Sequence, residues 1–479
     1  MTTLAQRPPS TAEEVAQEYP RGLELQQVQI VLRHGERTPV HARFPNTGLP
    51  SHWPYCDSIN RLKSVIREAD GRLDSLTWRR RLESIAYDDG PTLPTGPGGE
   101  DHSICQDGEL TVKGRETTLA FGQRLRWLYV EQLGFLPDVL DGTTLAHIRL
   151  RSTPIPRARE STEQAFTGLY PRHKRQSGLP PPTLVTRVPA DETMFPNEAH
   201  CKRFAELARA FAARTAERHN AGPELQYINE KLGKWMPASS PTIRVDGRPR
   251  LSGIMDTINA TLAHGPLTRL PAEFYDARVR AHIDRITTEE WFGGYAESRE
   301  YRTLGIGAAV GDITQHMVQH ARGDAPRPFR LGLAGGHDTT IAATLSALGV
   351  FHPRRDAWPP FTSRIVFELF RDARAAPSSA PASSPSSRTP YASLPPAERA
   401  RLDGHWVRVR YNDRVVALPG CRAAGRHWGN DETVCSLRAF KEVVDEFTPD
   451  DWRAACARGL GERAFPARAE RPVGVEEGE

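Results

Sequence analysis

The sequence predicts an α/β protein with a three-layer core, built on a central, mostly parallel sheet, and a helical cap inserted into that core. Two observations carry this prediction. Apolar runs typical of buried strands occur at three distant places, and each is followed by a polar cluster and then by a helical pattern. The stretch between the second and third runs is mostly helical, and a chain of 479 residues is long enough for two structural units.

The first strand ends in the stretch VLRHGERTPV, residues 31–40. Its apolar part, from Val28 to Leu32, is typical of a buried strand, and the segment RHGER follows it directly. Positive charge concentrated at the end of a buried strand indicates that the charge faces a ligand. Residues 41–109 then form a long connection rich in Pro, Gly, Asp and Ser, and long ordered loops often serve binding sites.

The remaining elements follow in order. Thr111 is a candidate N-cap for a helix with one apolar face. The second strand, TLAHIRL, ends in the polar triplet RST, and the helix after it stops at Tyr170-Pro171. The third strand, FRLGLA, ends in the cluster Gly335-Gly336-His337-Asp338, after which another helix begins. Later strands are predicted in RIVFELF, HWVRVRY and RVVAL, and the last two are joined at Asn412-Asp413.

These elements predict a domain organisation with a discontinuous core. The low-complexity stretch DARAAPSSAPASSPSSRTPYASLPPAE cannot bury a core, so it is interpreted as a disordered insertion in a hairpin. The predicted segments are a polar tail at 1–22, the α/β core at 23–171 and 301–460, the helical cap at 172–300, the insertion at 372–398 and a C-terminal tail at 461–479.

Composition excludes several classes of protein. The 63 basic and 59 acidic residues give a net charge of +4, too small and too evenly spread for a nucleic-acid binder. No run approaches about 18 apolar residues, so no membrane span is predicted. The N-terminus has neither the apolar core of a signal peptide nor the character of a transit peptide. These features predict an intracellular, cytoplasmic protein.

The six cysteines are too few for a disulfide scaffold in a chain of this length, and no pair has the CxxC spacing typical of zinc sites. Cys421 and Cys435 are close enough in sequence to close one short loop. Two free buried thiols are an equally good interpretation of this pair in a reducing compartment.

The three polar clusters are predicted to meet in one crevice, because ligands of open α/β sheets bind beyond the carboxyl ends of the strands. Guanidinium groups match the oxygens of a tetrahedral anion, which predicts a phosphate pocket. Histidine can form a covalent intermediate, and a positive surround keeps its imidazole neutral and nucleophilic. The predicted roles are His34 as nucleophile, Asp338 as proton donor and then base, and Arg33, Arg37, Arg151 and His337 as phosphate-binding residues.

Each assignment has a simpler alternative. A single arginine is as often a salt-bridge partner, and Asp338 could serve only as the N-cap of the helix that follows it. Glu36 is expected to be structural or turned away, since a carboxylate facing a phosphate is repelled. The glycines from Gly305 to Gly311 have the wrong spacing for a nucleotide loop and are expected in helix packing or a turn.

The motifs Arg33-His34-Gly35-x-Arg37-x-Pro39, Arg151-Ser152-Thr153 and His337-Asp338 resemble those of the histidine acid phosphatases, the second branch of the histidine phosphatase superfamily. Further pieces are similar to the intracellular lysophosphatidic acid phosphatase subgroup. They are Leu110-Thr111-x-x-Gly114, Glu160-Ser161-Thr162, Gly168-Leu169-Tyr170, LGVF with WPPF, and Pro419-Gly420-Cys421. One departure is Pro154, which stands after RST where many family members carry Asp.

The resemblance implies a phosphoglycerate-mutase-like core and hydrolysis of small phosphate monoesters through a phosphohistidine, without a metal ion or other cofactor. Its subgroup implies a lysophospholipid as candidate substrate. A phytase-like phosphatase and a phosphomutase-type transferase using the same phosphohistidine are the alternatives. A non-enzymatic phosphate-binding module would require the loss of at least one catalytic position, and none of the matched positions is lost.

Overall fold

The computed structural model of the protein describes residues 2–5, 10–85, 90–374 and 388–476. Its strands, in chain order, are β1 (Leu23–Arg33), β2 (Leu62–Arg67), β3 (Leu73–Trp78), β4 (Ser84–Ile85), β5 (Pro91–Thr92), β6 (Ile148–Ser152), β7 (Leu184–Thr186), β8 (Leu331–Gly336), β9 (Arg364–Asp372), β10 (His405–Tyr411), β11 (Arg414–Val416), β12 (His427–Trp428) and β13 (Asp431–Ser436).

The central sheet has nine strands in the order β12-β13-β10-β9-β1-β8-β6-β7, with β11 beside β10. The strands β1, β8, β6 and β7 run parallel to one another, and β9 and β10 continue the sheet in antiparallel fashion. The three strands expected to carry the site, β1, β6 and β8, are therefore neighbours in the parallel half. The predicted α/β class is confirmed.

Helices cover both faces of this sheet. In chain order they are α1 (Ala12–Glu18), α2 (Val112–Arg126), α3 (Gly142–Ala146), α4 (Pro156–Leu169), α5 (Lys202–His219), α6 (Pro223–Leu232), α7 (Leu251–Ala263), α8 (Ala277–Glu297), α9 (Arg299–Arg302), α10 (Ala308–Arg322), α11 (Asp338–Ala347), α12 (Pro396–Ala400), α13 (Leu437–Asp445) and α14 (Trp452–Cys456).

The alternation of side chains along β1 divides the core into two layers. Ile30 and Leu32 pack with Phe121 and Phe166 of α2 and α4 in one apolar cluster. Val31, on the opposite face of the strand, belongs to a second cluster that includes α10, α11 and the helices α5 to α8. These last four helices occupy the segment predicted as a cap, and its assignment as a separate domain stays a prediction.

Glycines allow backbones to approach closely where α2, α4 and the end of β1 meet. A Cβ atom on Gly122 would lie 1.9 Å from the carbonyl oxygen of Ala165, and one on Gly168 would lie 2.2 Å from that of Leu119. Gly35 has the same constraint, because its Cβ would lie 2.3 Å from the carbonyl oxygen of Gly114. Glycine is required at these positions for close approach.

Two predicted boundaries in the parallel half of the sheet are wrong. Residues 142–146 form α3 instead of the start of a strand, because Asp141 caps that turn by accepting a hydrogen bond of 2.7 Å from Thr144 N. The strand β6 begins at Ile148 and continues to Ser152, so Arg151 lies inside it. In addition, β7 pairs with β6 although it lies within the segment predicted as cap.

The described parts of the predicted tails pack against the core. Thr11 and Glu14 form a capping box for α1, and Val15 is buried. Near the C-terminus, Arg203 of α5 donates hydrogen bonds of 3.0 and 2.9 Å to the carbonyl oxygens of Glu462 and Arg463. Residues 375–387 of the predicted disordered insertion lie outside the described residues, but the strands it joins, β9 and β10, do pair antiparallel.

The expectation that the cysteines build no disulfide framework is wrong. All six are paired, as Cys56–Cys105, Cys201–Cys456 and Cys421–Cys435, with 49, 255 and 14 residues of separation. Six cysteines allow 15 pairings, and proximity in sequence suggested only the last of these three bonds. No helix in the described ranges is both long and apolar enough to cross a bilayer.

The close approach of α2 and α4 predicts a large effect of one added methyl group. We expect Gly122→Ala to lower the free energy of unfolding by about 1–3 kcal/mol, because the new Cβ forces the two helix backbones apart. Denaturant unfolding of the purified protein measures this change. Gly142→Ala is the matched control, since its Cβ meets nothing within 4 Å, and a loss of equal size there would contradict the explanation.

Candidate active site

The ends of β1 and β8 bring two of the predicted motifs together. The two strands are parallel neighbours in which Arg33 is paired with Gly336. The backbone N–H of His34 donates a 3.1 Å hydrogen bond to the carbonyl oxygen of Gly336, and the rings of His34 and His337 lie 5.5 Å apart. Residues separated by about 300 positions therefore share one crevice at the carboxyl edge of the sheet.

The imidazole of His34 is held in one tautomer. Its Nδ1 lies 2.8 Å from the carbonyl oxygen of Gly35. Because a carbonyl oxygen only accepts hydrogen bonds, Nδ1 carries the proton, and the lone pair of Nε2 is available for nucleophilic attack. Burial lowers the pKa of His34 well below its ordinary value, and the positive charges of Arg157 and Arg33 lower it further. The ring therefore stays neutral to a lower pH than an ordinary histidine does.

The turn after His34 is fixed from two sides. The Gly35 N–H donates a 3.0 Å hydrogen bond to Ser161 Oγ of α4. Glu36 points away from the crevice and accepts a hydrogen bond from Thr117 Oγ1, while its backbone oxygen accepts another, of 3.1 Å, from Thr111 N. The expectation that Glu36 is structural agrees with this placement.

Two arginines of the first motif hold carboxylates in the crevice. Arg33 Nη2 lies 2.7 Å from Asp338 Oδ2, and its guanidinium carbon lies 4.2 Å from the centre of the Phe361 ring. Arg37 Nη1 lies 2.7 Å from Oδ1 of Asp256, a buried residue of α7. No sequence pattern pointed to Asp256, because this residue lies 219 positions from Arg37 and belongs to no motif.

Asp338 stands at the first position of α11. Its Oδ2 accepts hydrogen bonds from Arg33 and, at 3.1 Å, from Trp358 Nε1, and its Oδ1 accepts one of 2.8 Å from Thr339 N. Burial opposes ionisation of the carboxyl, but Arg33 and Arg37 outweigh it and hold the pKa of Asp338 below its ordinary value. Asp338 is therefore ionised at neutral pH.

His337 lines the crevice beside His34. Its Nε2 lies 2.9 Å from Thr153 Oγ1, and burial, followed by the charge of Arg157, lowers its pKa to about 3. The unfolded chain takes up protons on such histidines below about pH 6.5, whereas the folded chain does not. This difference in proton uptake makes the folded state less stable as the pH falls from about 6.5.

The predicted role of Arg151 is wrong, because the structure does not bring this side chain to His34. Arg151 lies within β6, and its Nη2 forms a 2.7 Å ion pair with the buried Glu192. It faces a second cavity on the side of the sheet covered by α10 and α11. The predicted strand ended at Leu150, but β6 continues to Ser152. Because side chains alternate along a strand, Arg151 points to the face opposite that of Leu150.

Arg157, which sequence reasoning missed, takes the position expected of Arg151. It lies in the first turn of α4, and after burial it has the largest effect on the pKa of both His34 and His337. Burial and the neighbouring charge of Arg37 lower its own pKa to about 10. No carboxylate in the described part of the chain forms an ion pair with it. A signal existed in the stretch RSTPIPR, where a second arginine follows the strand.

A cavity of 400 Å³ opens above this cluster. Its inner wall carries Arg33, Arg37 and Asp338, and aromatic rings of Trp291, Trp358 and Phe361 line its sides. A volume of this size suits a small organic ligand with an anionic end. The arrangement can hold a phosphoryl group against the Nε2 atom of His34 and place a carboxyl group on the same side.

The sequence model of the histidine phosphatase superfamily (branch 2) matches residues 24–412. The chain belongs to this branch and is a histidine acid phosphatase.

A probable acid phosphatase of Schizosaccharomyces pombe is 35% identical over 457 residues, which cover 92% of this chain and 95% of that protein. The lysophosphatidic acid phosphatase type 6 of Bos taurus is 24% identical over 356 residues, which cover 73% of this chain and 74% of the relative. The resemblance noted in the sequence is confirmed by these matches.

Solved structures with the same fold include a Hafnia alvei phytase in complex with tartrate. It has a TM-score of 0.55 at 14% identity and covers 91% of this chain and 99% of its own. The multiple inositol polyphosphate phosphatase of Bifidobacterium longum also has a TM-score of 0.55, at 11% identity, with coverage of 94% and 98%. These likenesses establish the fold.

Because Arg157 acts on His34 and Arg151 pairs with Glu192, lysine variants of these two arginines should differ in activity. We expect Arg157→Lys to lower kcat/KM for an aryl phosphate by about 10- to 100-fold, because an ammonium group loses the forked contact to the phosphoryl oxygens. Arg151→Lys keeps a cation beside Glu192 and should leave kcat/KM within about twofold. Steady-state kinetics measure both, and an equal loss in the two variants would contradict this assignment.

Proposed function

We propose that the protein hydrolyses phosphate monoesters through a covalent phosphohistidine at His34, with Asp338 as proton donor. The observation that carries the proposal is the neutral imidazole of His34, whose Nε2 has a free lone pair while Arg33, Arg37 and Arg157 surround it with positive charge. Such a pocket stabilises the charge on the phosphoryl oxygens in the transition state.

In the first step the Nε2 atom of His34 forms a bond to phosphorus, and the bond between phosphorus and the ester oxygen breaks. The arginines and His337 hold the other phosphoryl oxygens. The proton for the departing alkoxide comes from Asp338. Arg33 and Arg37 lower the pKa of this carboxyl, but the negative charge of a bound phosphate offsets the two arginines and raises it again. Substrate binding thereby favours the protonated acid.

In the second step Asp338, now a carboxylate, removes a proton from water. The water oxygen bonds to phosphorus, the bond between phosphorus and Nε2 breaks, and inorganic phosphate leaves with His34 neutral again. The ion pair with Arg33 and the hydrogen bond from Trp358 keep the carboxylate oriented between the two steps. The same group acts first as acid and then as base.

A lysophospholipid is the proposed class of substrate. A groove of 280 Å³ adjoins the catalytic cavity, and both are lined by Arg250 and Trp291. Most of the groove is apolar, with Phe204, Ala208 and Ala212 of α5 on its wall. Such a groove can accept an acyl chain while the phosphate lies at His34. The likeness to the lysophosphatidic acid phosphatase of Bos taurus supports the same class.

The phytase alternative has less support from the charges around the cavity. A substrate with many phosphates requires cations beyond the catalytic cluster. Two further arginines line the cavity, but Arg43 lies 3.2 Å from Asp256 and Arg250 forms an ion pair with Glu290.

A phosphomutase would return the phosphoryl group to a retained acceptor. Product analysis in the presence of a bisphosphorylated activator distinguishes the two enzymes. A hydrolase releases inorganic phosphate, whereas a phosphomutase transfers the phosphoryl group to the acceptor without net release.

The disulfides bear on the predicted cytoplasmic location. Three disulfide bonds in one chain are typical of an oxidising compartment and rare in the cytosol. They favour a location outside the cytoplasm over the one predicted from the N-terminal sequence.

The proposed acid and nucleophile predict different dependences on the leaving group. We expect His34→Ala to abolish hydrolysis of every monoester, because no phosphohistidine can form. Asp338→Asn should lower kcat for alkyl phosphates by about 10²- to 10⁴-fold and for 4-nitrophenyl phosphate far less, since that leaving group needs no proton. Phosphate release assays measure both series, and equal losses of Asp338→Asn on the two substrates would refute the acid role.

The groove predicts a dependence on acyl length. We expect kcat/KM for lysophosphatidic acids below their micellar concentration to rise by up to roughly fourfold per buried methylene. Ala212→Phe should flatten this rise by filling the groove, while glycerol 3-phosphate, which has no acyl chain, serves as the matched control and should be unaffected. A wild-type series that is already flat would remove the groove from the proposal.

A further inference from the structure

A second cavity, of 230 Å³, lies on the face of the sheet covered by α10 and α11. The sheet register explains its position. Gly332 of β8 lies between Gln29 and Arg149, and Ala334 lies between Val31 and Arg151, so two small residues leave room beside the two arginines. The volume is below the range of about 300–1,000 Å³ typical of drug-sized ligands, and it suits a small ion with a few waters.

Three arginines line this cavity. Arg151 pairs with Glu192 at 2.7 Å, and Arg187 forms an ion pair with Asp312 of α10. Arg388, which is not part of the cavity lining, shares the carboxylate of Asp312. The three lining arginines, of which Arg149 is the third, thus face two carboxylates among the described residues, Glu192 and Asp312.

Arg149 has an unusual partner. Its Nη1 lies 2.9 Å from Nε2 of His316, and no carboxylate in the described ranges forms an ion pair with it. Because a guanidinium only donates, His316 Nε2 accepts, and Nδ1 carries the proton that faces Gln29 Oε1 at 3.3 Å. The histidine is therefore neutral and does not offset the charge of Arg149.

One donor of the cluster also lacks a partner. The Nε atom of Arg151 is buried and donates no hydrogen bond within the described part of the chain. A buried cation without compensation is costly, and a bound anion would supply the missing charge and accept the unused N–H groups. Forked guanidinium donors from two sides of a small cavity match the oxygens of a tetrahedral anion.

We propose that this cavity is a second anion site, separate from the catalytic cavity, which binds a small oxyanion of the class of inorganic phosphate. That this ion is also the reaction product rests on the proposed function. The two cavities are close neighbours. Met194 and Thr340 line the second one, and Thr340 Oγ1 accepts a 3.0 Å hydrogen bond from the backbone N–H of His337. The lining of the second cavity is thus joined to the backbone of His337 by one hydrogen bond.

Calorimetric titration of the full chain with inorganic phosphate tests the proposal. We expect two sites in the wild type. Arg149→Gln should weaken one of them by at least about tenfold and leave the other. Arg157→Gln should weaken only the catalytic one. Arg159→Gln is the matched control, because Arg159 is half-exposed on α4 and pairs with Glu163, and it should change neither.

The outcomes separate this inference from the proposed function. If Arg149→Gln leaves all phosphate binding unchanged, the second site is refuted, whatever Arg157→Gln does. If Arg157→Gln alone has no effect, the catalytic proposal fails and the second site stands. A second measurement uses only the wild type, so its result does not depend on whether a variant folds. Crystals of the wild type soaked in tungstate should show two anomalous peaks per chain, and a single peak in the catalytic cavity would overturn the inference.

Discussion

Positive charge buried around an uncharged imidazole is the arrangement on which the active site depends. Arg33 and Arg37 form ion pairs with Asp338 and Asp256 in the crevice, whereas no carboxylate within the described ranges forms an ion pair with Arg157. The three guanidinium groups thus outnumber the carboxylates that pair with them, and the charge of a phosphate dianion complements this excess. Burial lowers the pKa of His34, and the same positive charges lower it further.

The scaffold places these charges by close contact between backbones. His34 can face the crevice only because Gly35 touches Gly114 and donates to Ser161, which fixes the end of β1 against α2 and α4. Glycine at both crossing points removes the Cβ atoms that would separate these elements. Arg157 lies in the first turn of α4, so the packing that fixes His34 also positions the guanidinium that we propose binds the phosphate.

Much of this could be predicted from the sequence, because strands that end in polar clusters carry their own signal. The fold class, His34, Asp338 and the two arginines of the first motif follow from local patterns. Arg151 was assigned wrongly because the direction of a side chain depends on where its strand ends, and two more residues of β6 reverse the conclusion. Asp256 and the three disulfides depend on contacts between distant segments, which no local pattern records.

The bond between Cys201 and Cys456 encloses more than half of the chain. It joins the start of α5 to the end of α14, and so spans the cap helices, the last strands of the sheet and the segment between β9 and β10. A protease that cut the backbone anywhere inside this loop would produce two fragments that stay linked as one molecule. Such a nicked enzyme would keep its apparent mass until a reductant released the pieces.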